Sequence, residues 1–198
     1  RTMNDLEFRN SIRSHHTFNA MGGEFKLLCF PQNYLSRDQV LEIFKDAEKE
    51  VQRIESKLTD FKDSPFNKIN KYAGVKPVAV DQEIWDLILA SKQISKESHG
   101  VFDISYAGLG HLWRQAKKEQ RTLSPLERQY GQSLINYKKI QMNESEKTVY
   151  LPHKDIRIGL GGIGKGYAVD KVFEFLKKKG VYNFYVNGSG DIRVHSHN

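Results

Sequence analysis

The stretch GLGGIGKGYAVDK at residues 159–171 contains residues that could bind a phosphate group. Its glycines match the G-x-G-x-x-G dinucleotide pattern, and Gly159 together with Gly164 and Lys165 matches most of a P-loop. Glycines let a backbone approach a ligand closely, and a helix N-terminus beside a lysine favours an anion. The stretch therefore predicts an anion-binding turn or, as the plain structural alternative, a turn that packs a helix against a strand.

Neither standard motif fits its usual surroundings. A Rossmann fingerprint follows the first strand of a βαβ unit, whereas the residues before Gly159 show no βαβ alternation. A P-loop needs Ser or Thr after the lysine to hold Mg²⁺, and here that residue is Gly166. We therefore predict that residues 159–164 form a glycine-rich turn leading into a helix near Lys165, beside a mainly antiparallel sheet.

The N-terminal part of the chain predicts strands followed by helices. Residues 17–30 indicate two extended segments around the Gly22-Gly23 break. Ser36 and Gln39 form a capping-box pair, which begins a long helix with an apolar stripe of Val40, Phe44, Ala47, Val51, Ile54 and Leu58. A second helix is expected after Asp81, with one face made of Ile84, Leu87, Ile88, Ser91 and Ile94.

The C-terminal part predicts two strand pairs and one more helix. Residues 137–152 indicate a strand, a short polar turn and a second strand, which permits only antiparallel pairing. The helix after Lys165 should end at Gly180 and bury Ala168, Val169, Val172, Phe173 and Leu176. Residues 182–194 then indicate strand, glycine-rich turn and extended segment. Because the helices form a block between the strands, the prediction is an α+β fold with a largely antiparallel sheet, as a single domain over residues 1–198.

Composition limits the classes of function. The chain has 198 residues, 38% of them hydrophobic, and a formal net charge of +7, which favours anionic partners such as nucleotides. Nucleic-acid binding is not expected, because no aromatic sheet motif accompanies the lysines at 117–118 and 177–179, which indicate solvated helix faces. The single cysteine, Cys29, is expected to be a buried structural thiol. No apolar stretch approaches the roughly 20 residues that span a bilayer.

Two histidine pairs are weaker metal candidates. His195 and His197 would share one face of a strand and could chelate a metal. The alternative is an exposed chain end without a metal. The same two interpretations apply to His15 and His16, which precede the first strand pair.

Four ordered segments resemble one known family. GLGGIGKGYAVDK followed by FYVNGSGDI resembles the segments D-x-G-G-[IV]-[AG]-K-G-[YF]-A-x-D and V-N-x-G-G-D of the ApbE family, the FAD:protein FMN transferases. FNAMGGEFKL resembles the family's opening strand, T-x-M-G-T. LTDFKDSPFNKINK resembles a family segment that contains serine and asparagine. SHGVFDISYAGLGHLW resembles the family signature T-x-G-x-F-D. The resemblance covers residues 16–193.

The resemblance implies roles for particular residues. Met21 and Phe61 would lie at the flavin, with Phe61 stacking on the ring system as a family aromatic, often tyrosine, does. The resemblance also implies nucleotide contacts for Val101, Phe102, Asp103, Gly159 and Lys165. Plain packing for Phe102 and a turn or cap role for Asp103 are the alternatives. Gly162 would coordinate Mg²⁺ through its backbone carbonyl, while Asp170 is expected to be structural.

This sequence departs from the family pattern at several positions. Gly159 replaces the usual aspartate, Ala107 and Gly110 change the segment around the usual proline, and Ser189 replaces a glycine. The chain ends at Asn198 before the family segments H-x-x-D-P-x-T-G and D-x-x-[AS]-T. The general base and most metal carboxylates are therefore expected outside this sequence, and the chain would be the N-terminal part of the family fold.

The resemblance implies Mg²⁺-dependent transfer of FMN from FAD to a threonine of an acceptor flavoprotein, with release of AMP. The alternatives are an FAD pyrophosphatase and a catalytically incomplete flavin-nucleotide binding module. By the same resemblance, the protein would be exported to the periplasm or cell envelope, as a lipoprotein attached to the membrane through a segment that this chain does not contain.

Overall fold

The computed structural model describes residues 13–196. Within that range the backbone divides into two compact units, the first made of residues 13–56 and 163–196 and the second of residues 57–162. The two units contain antiparallel sheets, and together with the helices they give an α+β fold, which confirms the predicted class. That residues 1–198 form one domain stays a prediction.

The first unit contains a four-stranded sheet in the order β1-β2-β6-β7. Its strands are β1 (Ser14–Ala20), β2 (Gly23–Cys29), β6 (Phe184–Gly188) and β7 (Asp191–His195). Phe25, Leu27 and Cys29 of β2 are buried, and their partners across the antiparallel register are Gly188, Val186 and Phe184. Because successive side chains of a strand point to opposite faces of the sheet, these buried residues form one apolar face.

Among the described residues, two helices belong to the first unit. Helix α1 (Arg37–Leu58), whose last two residues fall in the second unit, begins at the predicted capping box: Ser36 N donates to Gln39 Oε1 and Gln39 N donates to Ser36 Oγ. Helix α6 (Gly164–Lys178) buries the five apolar residues expected of it, and Gly180 follows it in the left-handed region with φ 79°. Both predicted helices are confirmed.

The second unit is mainly helical. Its helices are α2 (Asn67–Lys71), α3 (Gln82–Glu97), α4 (Ala107–Lys118) and α5 (Pro125–Ser133), with short 3₁₀ turns at Ile104–Tyr106 and Tyr137–Lys139. A small antiparallel sheet, in the order β3-β5-β4, consists of β3 (Val78–Ala79), β5 (Thr148–Tyr150) and β4 (Gln141–Asn143). The predicted pairing of residues 141–143 with 148–150 is confirmed.

Two details of the predicted elements were wrong. Ile94 is 40% exposed, whereas Ser95 is buried and its hydroxyl donates to the carbonyl of Ser91. The residue that follows Ser91 on the buried face of α3 is therefore Ser95 and not Ile94. In addition, the segment at 137–139 is a 3₁₀ turn and β4 begins only at Gln141, because Asn136 caps that turn through Lys138 N.

Candidate functional site

Six of the predicted site residues line one pocket of the second unit. The pocket encloses about 500 Å³. The six residues are Phe61, Val101, Phe102, Asp103, Gly159 and Gly162. They come from three separate segments: the end of α1, the turn after α3 and the glycine-rich stretch. The structure thus brings together residues that lie up to 101 positions apart in the sequence.

Phe61 provides an exposed aromatic surface at this pocket. Its side chain is 74% exposed, and the guanidinium of Arg114 lies 4.8 Å from the ring centroid. This cation–π contact uses one face of the ring. The other face is available for stacking on a planar ligand, which is the chemistry predicted for a flavin platform.

Phe102 and Gly162 pack directly on each other. A Cβ built on Gly162 would lie 2.9 Å from Cε2 of Phe102, closer than real Cβ contacts allow. A side chain at position 162 would therefore push the Phe102 ring out of place. This contact is the packing role that the sequence left open for Phe102, and it explains a glycine at position 162 without a metal.

Asp103 caps a turn. Its Oδ1 accepts from Ser105 N at 2.8 Å and from Ser105 Oγ at 2.6 Å, and its Oδ2 accepts from Tyr137 N at 2.8 Å. Both carboxylate oxygens are therefore occupied by groups of the chain itself. The cap role that the sequence offered as the alternative is present, and Asp103 holds the pocket wall in shape.

Gly159 faces the carboxylate of Asp60. Gly159 N donates to the carbonyl of Ile104 at 3.0 Å, which ties the glycine-rich stretch to the pocket wall. A Cβ built on Gly159 would lie 3.0 Å from Oδ2 of Asp60 and 3.1 Å from Cβ of Ala107. A larger residue at position 159 would require the Asp60 carboxylate and Ala107 to shift slightly.

Met21 lies at a tight hairpin turn in the first unit. Met21 and Gly22 have φ of 54° and 74° between the paired residues Ala20 and Gly23, as a two-residue type I′ connection requires. The backbone N of Met21 donates to Oε1 of Glu55 at 2.8 Å. Its methyl group lies 3.0 Å from the position that a Cβ on Gly164 would take. Met21 thus packs over the first residue of α6.

Lys165 lies in the first turn of α6, as predicted. Its Nζ is 3.6 Å from the position of a Cβ built on Gly23, so the ammonium group is close to the β1-β2 hairpin. The residue before the helix, Ile163, provides no side-chain cap. Uncapped N–H groups and a nearby ammonium group give this helix end a positive potential. In the part of the chain that the structure describes, Lys165 forms no ion pair.

The remaining candidate residues either contact other parts of the chain or lie outside the described residues. Asp170 Oδ1 accepts from Arg193 at 3.1 Å, which fits the structural role expected of it. His16 Nε2 lies 2.6 Å from Glu48 Oε2. His195 packs edge-on against Phe173, while His197 lies outside the described residues. Cys29 is buried as predicted, and burial raises the pKa of its thiol to about 11.

Few side chains of the described residues are placed to coordinate a metal ion. Between residues 13 and 196, no group of three or more His, Cys, Asp and Glu side chains is placed to hold a metal ion. The carbonyl of Gly162 is one oxygen donor, and Mg²⁺ prefers near-octahedral oxygen coordination. A Mg²⁺ ion held at this carbonyl would take most of its other oxygen ligands from substrate phosphates and water. Within the same range, no helix is long and apolar enough to cross a bilayer.

Sequence reasoning missed the basic residues around Phe61. Arg114 covers one face of that ring, and it lies on α4, a helix that the apolar pattern did not predict. Its spacing gives a signal that could have found it: His111, Arg114 and Lys118 recur at i, i+3 and i+7, which places them on one helix face.

The fold and one family profile together show the family of this chain. The structure is an α+β protein with antiparallel sheets whose glycine-rich stretch lines a pocket beside an aromatic residue. A profile described as the ApbE family matches residues 21–198. The chain belongs to the ApbE family.

Relatives of known name are distant in sequence. The FAD:protein FMN transferase of Klebsiella pneumoniae (strain 342) is 25% identical over 176 residues, which are 88% of this chain and 53% of that protein. The enzyme of the same name from Vibrio cholerae is 20% identical over 180 residues, covering 88% and 52%. The chain thus spans about half the length of the curated relatives it matches.

Solved structures show the same fold. The flavin transferase ApbE from Vibrio cholerae superimposes with a TM-score of 0.82 at 17% identity, over 94% of this chain and 60% of that one. The ApbE protein from Thermotoga maritima gives a TM-score of 0.80 at 24% identity, over 92% and 58%. The α+β fold is therefore that of ApbE flavin transferases.

Proposed function

We propose that this chain is the flavin-nucleotide binding part of an FAD:protein FMN transferase. The observation that carries the proposal is the pocket in which four of the five residues expected at the nucleotide, Val101, Phe102, Asp103 and Gly159, line one cavity with the exposed ring of Phe61. Membership of the ApbE family, and relatives named FAD:protein FMN transferase, support the same activity.

The chemistry proposed for the whole protein is cleavage of the FAD pyrophosphate. FMN would pass to a threonine hydroxyl of an acceptor flavoprotein, and AMP would leave. Lys165 at the N-terminus of α6 offers the positive charge that a pyrophosphate needs. Met21 would contact the flavin, and Val101 and Phe102 would contact the nucleotide. Mg²⁺ would neutralise phosphate charge, with the carbonyl of Gly162 as one of its ligands. Export to the cell envelope and a membrane anchor are also part of the proposal.

The experiment that tests this function is incubation of the chain with FAD and Mg²⁺, followed by chromatography for AMP and FMN. A matched sample with EDTA in place of Mg²⁺ is the control. Mg²⁺-dependent AMP supports the cleavage chemistry, and FMN that stays attached to an added threonine-containing acceptor supports transfer. FAD that binds without AMP release supports the alternative of a binding module. A chain that neither binds nor cleaves FAD contradicts the proposal.

A further inference from the structure

A second cavity of the second unit is lined by positively charged side chains. It encloses about 490 Å³. Its basic and imidazole residues are His111, Arg114, Lys118 and Arg157, and Asp60 is the one carboxylate among its lining residues. Three cations and one carboxylate leave two net positive charges when His111 is neutral.

The cations of this cavity have no ionic partners of their own. Within residues 13–196, Arg114, Lys118 and Arg157 form no ion pair, although many exposed lysines and arginines of the same chain do. Arg157 is the most enclosed of the three. Its Nε is buried without a hydrogen-bond acceptor among the described residues, and its NH2 group reaches only the carbonyl of Asp60 at 3.5 Å.

Three unpaired cations around one cavity cost free energy of folding unless a bound anion neutralises them. Like charges around one cavity repel each other, and a buried donor without an acceptor loses the free energy of its hydration. His111 shows the effect, because partial desolvation and the positive charges of Arg157, Arg114 and Lys118 lower the pKa of its imidazole, against a smaller opposite effect of Asp60. Phe61 and the amides of Asn67 and Gln115 complete the wall, and the amides can donate hydrogen bonds. The cavity adjoins the first pocket, since Asp60, Phe61 and Arg114 line both.

We infer that this cavity is a binding site for a tetrahedral dianion of the phosphate class, held by Arg157, Arg114 and Lys118. Two guanidinium groups and an ammonium group match the charge and the oxygen acceptors of such an ion. The inference does not depend on FAD cleavage. Its probes are small anions, so its failure and the failure of the proposed function are separate results.

The experiment is a calorimetric titration of the chain with sulfate, whose charge does not change near neutral pH. Saturable binding is expected, and Arg157→Gln should weaken it by about tenfold or more, since a charge-assisted contact is lost. Lys118 is exposed, so Lys118→Gln should fold normally and weaken binding by about two- to fivefold. Arg128→Gln, an exposed arginine of α5 outside the cavity, is the matched control and should bind as the unaltered chain does.

A second readout follows the imidazole of His111 by NMR. A bound dianion offsets the three cations, so sulfate should raise the pKa of His111, and by linkage sulfate should bind more tightly as the pH falls through that pKa. AMP binding more tightly than inorganic phosphate assigns the site to a nucleotide phosphate, and phosphate binding without AMP binding assigns it to the free ion. The inference would be overturned if the Arg157, Lys118 and Arg128 variants bound sulfate with equal affinity. It would also be overturned if the unaltered chain bound acetate as tightly as sulfate.

Discussion

At the scale of single residues, the pocket of the second unit depends on close contacts that only small or planar groups permit. Phe102 lies against Gly162, and Asp60 lies against Gly159. Asp103 uses both its oxygens inside the chain. These contacts hold the wall in place, and Phe61 is an exposed aromatic side chain of the pocket that can meet a ligand.

Replacing Phe61 by Ala should weaken FAD binding. The change removes a stacking surface that is 74% exposed, worth about 0.5–1.5 kcal/mol beyond the area it buries. Quenching of flavin fluorescence measures the affinity. Phe61→Tyr keeps the ring and should retain the affinity, and Tyr34→Ala removes an aromatic side chain that is 87% exposed outside the pocket and should have no effect. Unchanged FAD affinity in Phe61→Ala would rule out the platform role.

The residues that the sequence predicted best are those with a local pattern or a family motif. The capping box at Ser36 and the turn before Lys165 could be read from neighbouring residues, and the structure contains both. The basic face of α4 had a local signal in the spacing of His111, Arg114 and Lys118, but the contact of Arg114 with Phe61 had none, because it joins positions 53 residues apart. The hydrogen bond that Tyr137 N donates to Asp103 could not be predicted for the same reason, since Tyr137 lies 34 residues further on.

At the scale of elements, the first unit depends on helix α6 packing on strand β6. The contact is close where Gly188 meets Val169 and Phe25: a Cβ built on Gly188 would lie 2.6 Å from Cγ2 of Val169 and 2.8 Å from Cε1 of Phe25. The helix that carries Lys165 can therefore approach the sheet only because the strand has no side chain there.

Gly188→Ala should destabilise the protein. An added methyl in a filled site forces side chains or backbone to shift, at a cost of about 1–3 kcal/mol. Denaturation by urea, followed by circular dichroism, measures the free energy of unfolding. The control is Gly166→Ala in the same unit, whose added Cβ would have only an ordinary contact at 3.9 Å and should leave stability unchanged or slightly raised, since alanine favours helix. Equal stability of both variants would show that α6 does not pack tightly on β6.

Helices with a clear apolar stripe were predictable, whereas those with mixed faces were not. Helices α1 and α6 repeat apolar residues every three or four positions. Helix α4 instead begins with a run containing two glycines, AGLG, and then carries charged residues, so sequence pattern gave no helix there. Its few buried residues, Leu109 and Ala116, pack with Leu123 from the next loop, a contact that appears only in the folded chain.

At the scale of the whole molecule, both units carry residues expected at a flavin nucleotide. The second unit has the pocket beside Phe61, and the first has Met21 and Lys165 at the start of α6. The net charge of +7 favours an anionic ligand in general. It was the order of four motifs that indicated the family, and the family profile confirmed it.

If this chain recognises FAD through the pyrophosphate, Lys165 is the residue whose loss should show it. The measurement is the affinity of FAD and of riboflavin for the unaltered chain and for Lys165→Ala, with Lys178→Ala, an exposed lysine at the other end of α6, as control. We expect Lys165→Ala to weaken FAD by about tenfold, since a charge-assisted phosphate contact is lost, and to leave riboflavin unchanged, because riboflavin has no phosphate. Equal losses for both ligands, or no difference between Lys165→Ala and Lys178→Ala, would contradict the account.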